Sequence, residues 1–294
     1  MRTPEAAPAA GTGPSRSGGT TTARPEAPVP GPARGGHRGW RVIGTLALVV
    51  VVLIGAVQTW AMTVQQQARS ERTYGIAVTK VRLDTGRATV RIKPGQEGQV
   101  VVRQFLNWVV RKPVVSALFD QDELDVRMFC NQVFAVRDVG CGAVVELEVP
   151  PGVAVTGRQS SGNIDIAGVR GEIDLVSTSG EVRLADVSGP LTVRTTSGSV
   201  HGRRLTSPRA DVAATSGSVE LGFVTEPSAV DIGVTSGSVS LGLPRGSHYD
   251  FEGGMAPRGG IDTALADPSS PHKVRISVSS GSVEVRARDV DGSG

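Results

Sequence analysis

A Ser-Gly pair recurs in register through the second half of this chain. Its glycines are Gly162, Gly180, Gly198, Gly217, Gly237 and Gly281, at intervals of 18, 18, 19, 20 and 44 residues. The last interval is two steps of 22 if Gly259 marks a degenerate copy. Self-similarity at so short a period specifies stacked supersecondary units, each too small to bury its own apolar face. Alignment on the glycines shows why. Leu175, Val193, Val212, Ile232 and Ile276 stand five residues before them. Ile164, Val182, Val200, Val219, Val239 and Val283 stand two after, and Ile166, Leu184, Leu221, Leu241 and Val285 four after, with Gly202 as the exception. This is period-2 alternation on two strands, and the apolar phase slips across the Ser-Gly step, as at a corner between strands. Glycine suits such a corner because it tolerates positive φ. Val169, Val187, Leu205 and Phe223 supply a further apolar anchor in the segments that link one unit to the next.

These units predict an all-β exterior region whose residues 156–290 form a β-solenoid of about six to seven coils of 18–22 residues. Equivalent valines should form a column inside the stack, and the six glycines should mark its corners. Gly242 to Ser270 breaks the pattern and reads as an irregular insertion before the last coil, with polar Arg286 to Gly294 as a cap. Residues 74–155 alternate without repeating. Strands are expected at 88–93, 99–104, 124–128 and 144–149, building a compact β-lobe of sandwich character before the solenoid. Phe105, Trp108, Phe119, Phe129 and Phe134 read as its core.

Upstream, residues 1–41 are rich in Pro, Gly, Ala, Thr and Arg and lack aromatics before Trp40, a composition that predicts a disordered tail. Residues 42–64 carry no charge. At about 1.5 Å per residue they reach roughly 34 Å, enough for one transmembrane helix. Arg34, His37, Arg38 and Arg41 crowd the N-terminal flank. The expectation is an uncleaved signal anchor in contact with membrane lipid, with the tail cytoplasmic, 65–73 a juxtamembrane linker, and everything beyond outside the cell. The tail's six arginines against Glu5 and Glu26 give a net +4; the whole chain is +3, so the remainder is −1. Without a basic exterior, a nucleic-acid partner loses its electrostatic basis.

Cys130 and Cys141 are the two cysteines, and an isolated, closely spaced pair outside the membrane favours a disulfide over two buried thiols. Nothing else carries a recognisable chemistry. A serine nucleophile needs a base oriented by a third group, and His201, His248 and His272 lie in no such motif. The acidic run Asp120, Asp122, Glu123, Asp125 lacks the spacing of a calcium loop, and no phosphate-cradling glycine loop appears. No catalytic, cofactor or metal residues are assigned, and the chain is not expected to be an enzyme. Repetitive binding would use the outward positions Arg183, His201, Glu220, Ser240 and Glu284.

The Cys130…Cys141 pair, the step Val149-Pro150-Pro151-Gly152, and the motifs Ser161-Gly162-Asn163-Ile164, Ser197-Gly198-Ser199-Val200, Ser216-Gly217-Ser218-Val219, Ser236-Gly237-Ser238-Val239 and Ser280-Gly281-Ser282-Val283 together resemble the bacterial "putative adhesin" β-strand-repeat family, over residues 74–290. Leu243-Pro244-Arg245-Gly246-Ser247 resembles the turn before that family's closing repeats. The resemblance implies a β-solenoid-like fold on a membrane-anchored envelope protein and carries over no catalytic residue. The expected function is surface contact with an unknown protein or glycan by a monomeric, single-pass protein. Other readings are an accessory protein of an envelope-stress signalling system, a self-assembling solenoid, or a polysaccharide-active enzyme.

Overall fold

The computed structural model describes residues 37–64, 66–108, 112–129, 141–252 and 259–289. The chain divides into two units, 1–57 and 58–294. The first contains most of helix α1 (His37–Val64), which begins five residues ahead of the expected span. Its described side chains, 43–56, are apolar or small and all exposed. Among the described residues no helix is long and apolar enough to cross a membrane.

The second unit is a stack of coils, most simply seen in its middle. Strands β10 (Ile173–Ala185), β11 (Leu191–Leu205), β12 (Arg209–Phe223), β13 (Ala229–Pro244) and β16 (Lys273–Arg288) lie side by side in parallel, with Gly180 opposite Gly198, Gly217 opposite Gly237 and Gly237 opposite Gly281. The expected corner therefore does not separate two strands. Each is one continuous strand that bends at Ser-Gly, with inward side chains changing parity there: Ile173 and Leu175 point in before the bend, Val182 and Leu184 after it. We call the two halves the first and second limbs. The linking segments form a third side, where Ser188 N–H donates to Val169 O and Thr206 N–H to Val187 O at 3.1 and 2.8 Å.

Val145, Val90, Ile164, Val182, Val200, Val219, Val239 and Val283 make the expected column, each at most 2% exposed. The first two belong to residues expected in a separate lobe. There, β2 (Lys80–Asp84) with β3 (Ala88–Pro94), and β6 (Glu123–Phe129) with β7 (Cys141–Val149), are limb pairs of the same stack. They pair in parallel with each other, and β2 and β3 pair onward with β8 (Ala154–Gln159) and β9 (Asn163–Ala167). One continuous hydrophobic cluster runs from Val78 to Val285. Residues 74–155 are thus further coils, in an order the sequence does not follow. β4 (Val100–Trp108) and β5 (Val114–Asp120) run antiparallel outside β7 and β6, and β1 (Gln66–Tyr74) pairs antiparallel with β4 where a linker was expected. Of the expected core aromatics, Phe119 stacks on Tyr74 at 4.5 Å and Trp108 is half-buried, whereas Phe129 is 54% exposed. Phe134 and Cys130 lie outside the described residues, as do 1–36. Only the backbone of Cys141 is described, so the disulfide expectation stands where it was.

The far end repeats the trick. β14 (Asp250–Glu252) and β15 (Gly259–Ile261) pair with β16 on the side away from β13, so the last coil in sequence sits between two earlier ones. Gly259 does not take the expected corner position: it lies opposite the column residue Val283, two residues past the bend at Gly281, so the 22-residue spacing does not mark a corner here. β14 and β15, with buried Tyr249 and Leu265, cover the stack beyond β16; of the expected cap, residues 290–294 lie outside the described residues. Arg286 and Arg288 are still inside β16.

Candidate binding face

Alternation along each second limb sends one charged or polar residue outward per coil, and parallel in-register pairing sets these in a line. Arg183, His201, Glu220, Ser240 and Glu284, the outward residues expected from sequence, are consecutive cross-strand neighbours. The row continues in the other direction through Asp165, Arg91, Glu146, Arg103 and Glu71. Ten positions at about 4.8 Å per strand give a line of roughly 43 Å. Its charges alternate from Glu71 to Arg183. Arg103 contacts Glu71 at 3.1 Å and also Glu148; Arg91 contacts Glu146 at 3.0 Å and Asp165 at 3.6 Å; Arg183 contacts Asp165 at 3.3 Å and also Glu181. His201 then bridges two acids, Nδ1 to Glu220 at 3.3 Å and Nε2 to Glu181 at 3.6 Å. Opposite charges directly across strands stabilise a sheet by a few tenths of a kcal/mol each at such exposure, so the row positions more than it stabilises.

Arg91 and Glu146 were not anticipated because they lie outside the Ser-Gly register, whereas Asp165, three residues after Gly162 as Arg183 is after Gly180, was within it and passed over. The signal for Arg91 and Glu146 was present in Val90-Arg91-Ile92 and Val145-Glu146-Leu147, the same apolar–charged–apolar triplet as Val182-Arg183-Leu184.

Beside the row lies a trough of ≈ 690 Å³, lined by Arg91, Lys93, Asp165, Ala167, Arg183, Ala185, His201, Arg203, Glu220 and Arg288 among others. Its far end is crossed by Arg288. That side chain lies over Gly242, where a Cβ would meet its Cδ at 2.5 Å, and beside Gly222, and its Nη2 stands 3.9 Å from Glu220. At the neighbouring bulge, Asp186 and Arg204 adopt positive φ (55° and 51°) and form a bidentate pair at 2.7 and 2.5 Å, which holds the Asp186 carboxyl below its usual range.

On the first limb a shallower groove of ≈ 470 Å³ runs past Val176, Arg194, Ala213, Gly233 and Ser277, edged by Thr196, Thr215, Thr235 and Ser279. The glycines at the bends stack on one another. A Cβ at Gly180, Gly198, Gly217, Gly237 or Gly281 would come closer than 3.0 Å to the carbonyl oxygen of the preceding glycine, nearer than real Cβ atoms come. Positive φ holds at all of these but Gly198, so close backbone approach, not φ alone, is what selects glycine. Flanking serines form ladders, with Ser218 Oγ donating to Ser199 Oγ at 3.0 Å.

The acidic run before β6 is divided among separate partners. Asp122 accepts from the Thr79 hydroxyl, Glu123 pairs with Lys80 at 3.4 Å, and Asp125 accepts from Arg127 Nε at 2.9 Å. Among the described residues no group of three or more His, Cys, Asp or Glu gathers as a metal site. Trp108 carries Lys112 over its ring at 5.7 Å. His248 and His272 sit at the cap near Glu226, whose Oε2 is 3.8 Å from His272 Nε2.

No curated protein matches this chain. Solved structures with a similar course include a "putative cell adhesion protein" from Clostridium sporogenes, 10% identical with a TM-score of 0.37, covering 76% of this chain and 100% of that one. Two are called "putative adhesin". The protein from Bacteroides fragilis is 13% identical (TM-score 0.35; 74% and 97% covered), and that from Parabacteroides merdae 10% identical (TM-score 0.37; 75% and 97%). At TM-scores this low the likeness supports no functional statement. Residues 153–286 match the Toastrack DUF4097 family, with limits that fall at β8 and the end of β16. The likeness to the Toastrack domain covers the repeat region, just under half of the chain.

Proposed function

We propose that the chain is a single-pass bacterial envelope protein. Helix α1 anchors it with the N-terminus inside, and the β stack stands outside the cell as a contact surface. The observation that carries the anchor is the exposure of every described side chain from Ile43 to Ala56, none of them charged. An apolar helix without a polar face needs protein or lipid to cover it, and exposure all round leaves that cover to lipid. The contact surface is the second-limb face, where an unbroken line of outward charged and polar residues gives a ligand a long, regular template. Surface recognition, not catalysis, is what such a template offers.

Protease added to intact cells should digest residues 66–294 and spare the tail; protection of the β region would overturn the anchor. Joint replacement of Arg183, His201, Glu220, Ser240 and Glu284 by alanine should abolish contact with the target surface at unchanged protein levels. Retained contact would overturn the face.

A further inference from the structure

Building on that reading of the face, we propose that the trough beside the charged row binds an acidic polysaccharide, a sugar chain bearing spaced carboxylates. Most cations along it are already satisfied: Arg91 by Glu146 and Asp165, Arg183 by Asp165 and Glu181, Arg288 by Glu220. Lys93 and Arg203 are not. Neither side chain has an ion-pair or hydrogen-bond partner among the described residues. Asp186, whose carboxyl feels the Arg203 charge, is committed to Arg204.

These two free cations share one register line. Arg203 is opposite Ala185 and Ala185 opposite Ala167, while Lys93 follows Ile92, the partner of Ile166. They therefore stand three strands, roughly 14 Å, apart across a floor of two methyl groups. The floor admits a chain lying flat, and each end offers it one unspent positive charge.

The surroundings select the kind of polyanion. Asp165, Glu181 and Glu220 edge the trough and would repel a chain with a charge on every unit, whereas widely spaced carboxylates can reach the two cations without passing these acids. No Phe, Tyr or Trp lines the trough, and its one ring, His201, is held between Glu181 and Glu220, whose charges disfavour a nucleic-acid strand. Ser199 and Ser218, one outward position back from His201 and Glu220, add hydroxyls on the row's other side for a sugar to meet.

The test uses the full chain in detergent micelles on immobilised hyaluronate, which carries one carboxylate per disaccharide, at low ionic strength. Wild type is expected to be retained, with neutral dextran and single-stranded DNA failing to hold it. The Lys93→Ala/Arg203→Ala double variant should bind about tenfold more weakly, as loss of two exposed charge contacts implies. Arg194→Ala, on the other limb, should change binding less than twofold. Since neither residue has a partner to lose, thermal unfolding of the double variant should match wild type. No retention of wild type, an undiminished double variant, or tighter binding to polyphosphate, DNA or the fully charged polygalacturonate than to hyaluronate would each overturn the proposal. If cell contact still depends on the outward row while hyaluronate is ignored, the ligand class fails and the contact face stands.

Discussion

Gly237 stands directly over Gly217, so close that a Cβ on the upper residue would fall within 3.0 Å of the lower one's carbonyl oxygen. Backbone cannot move aside as a side-chain tip can. Gly237→Ala should cost about 3 kcal/mol or more, lowering Tm by roughly 10 °C in a unit of this size. Gly246→Ala provides the contrast. Its φ of 86° is strained for alanine, but no atom lies within 4 Å, and about 1–2 kcal/mol is expected. Thermal unfolding of the two variants separates stacking from φ.

Gly202 breaks the apolar column because Leu205 fills its place. A Cβ there would meet Leu205 Cδ1 at 2.7 Å and Leu221 Cδ2 at 2.9 Å, and the pairing register slips between Gly202 and Leu205. Gly202→Val alone should cost about 1–3 kcal/mol and Leu205→Ala about 2–5 kcal/mol. Combined, they should cost at least about 1 kcal/mol less than their sum, measured in a double-mutant cycle by denaturant unfolding.

Tyr249 is fully buried in the cap with its hydroxyl unsatisfied, while nearby Ser247 Oγ donates to Pro244 O at 2.5 Å. Burial pushes its pKa from 10.0 up to about 12. The unfolded chain loses this proton near 10 and the folded chain only near 12, so stability present below pH 10 is lost as pH rises between those values. Tyr249→Phe should flatten that alkaline decline and be neutral or stabilising by up to about 1 kcal/mol at pH 7.

Lys273 and Arg275 hydrogen-bond Glu252, in that order of effect, and hold its carboxyl below its usual range; Lys273 also contacts Asp250 at 3.2 Å. A lowered folded value stabilises above the unfolded value and ceases to do so as pH falls through the folded one. Amides of β14 should therefore exchange faster in acid below the ordinary carboxylate range, while those of β11 and β12 stay protected. Glu252→Gln should remove most of that acid dependence.

Arg183 and Asp165 face each other across β10 and β9 at 3.3 Å. Arg183→Asp should weaken the stack by about 0.5 kcal/mol, and adding Asp165→Arg should restore about half of that. Urea unfolding at low and high salt would show the coupling fading with ionic strength.

The repeats were legible because in-register parallel pairing copies a local pattern faithfully: the Val182, Val200, Val219, Val239 and Val283 column is written at fixed offsets from each Ser-Gly. The first coils were not, because β2 and β3 are joined through Thr85-Gly86-Arg87 and no Ser-Gly stands in the sequence between β6 and β7. Their strands were recognisable singly, but period-2 alternation names no partner. Nothing local says that β7 pairs with β3 before β9 does. The binding face was half visible for the same reason. Arg183 and His201 share an offset from a marked glycine, whereas Arg91 joins their row only through the pairing of β3 with β9.

At both tips the chain places a later coil inside an earlier one, β6 and β7 within β4 and β5, β16 within β14 and β15. A unit following β16 would find neither edge of β16 free, since β13 takes one and β14 and β15 take the other. During synthesis, too, the seat between β13 and β14 stays unfilled until β16 has left the ribosome.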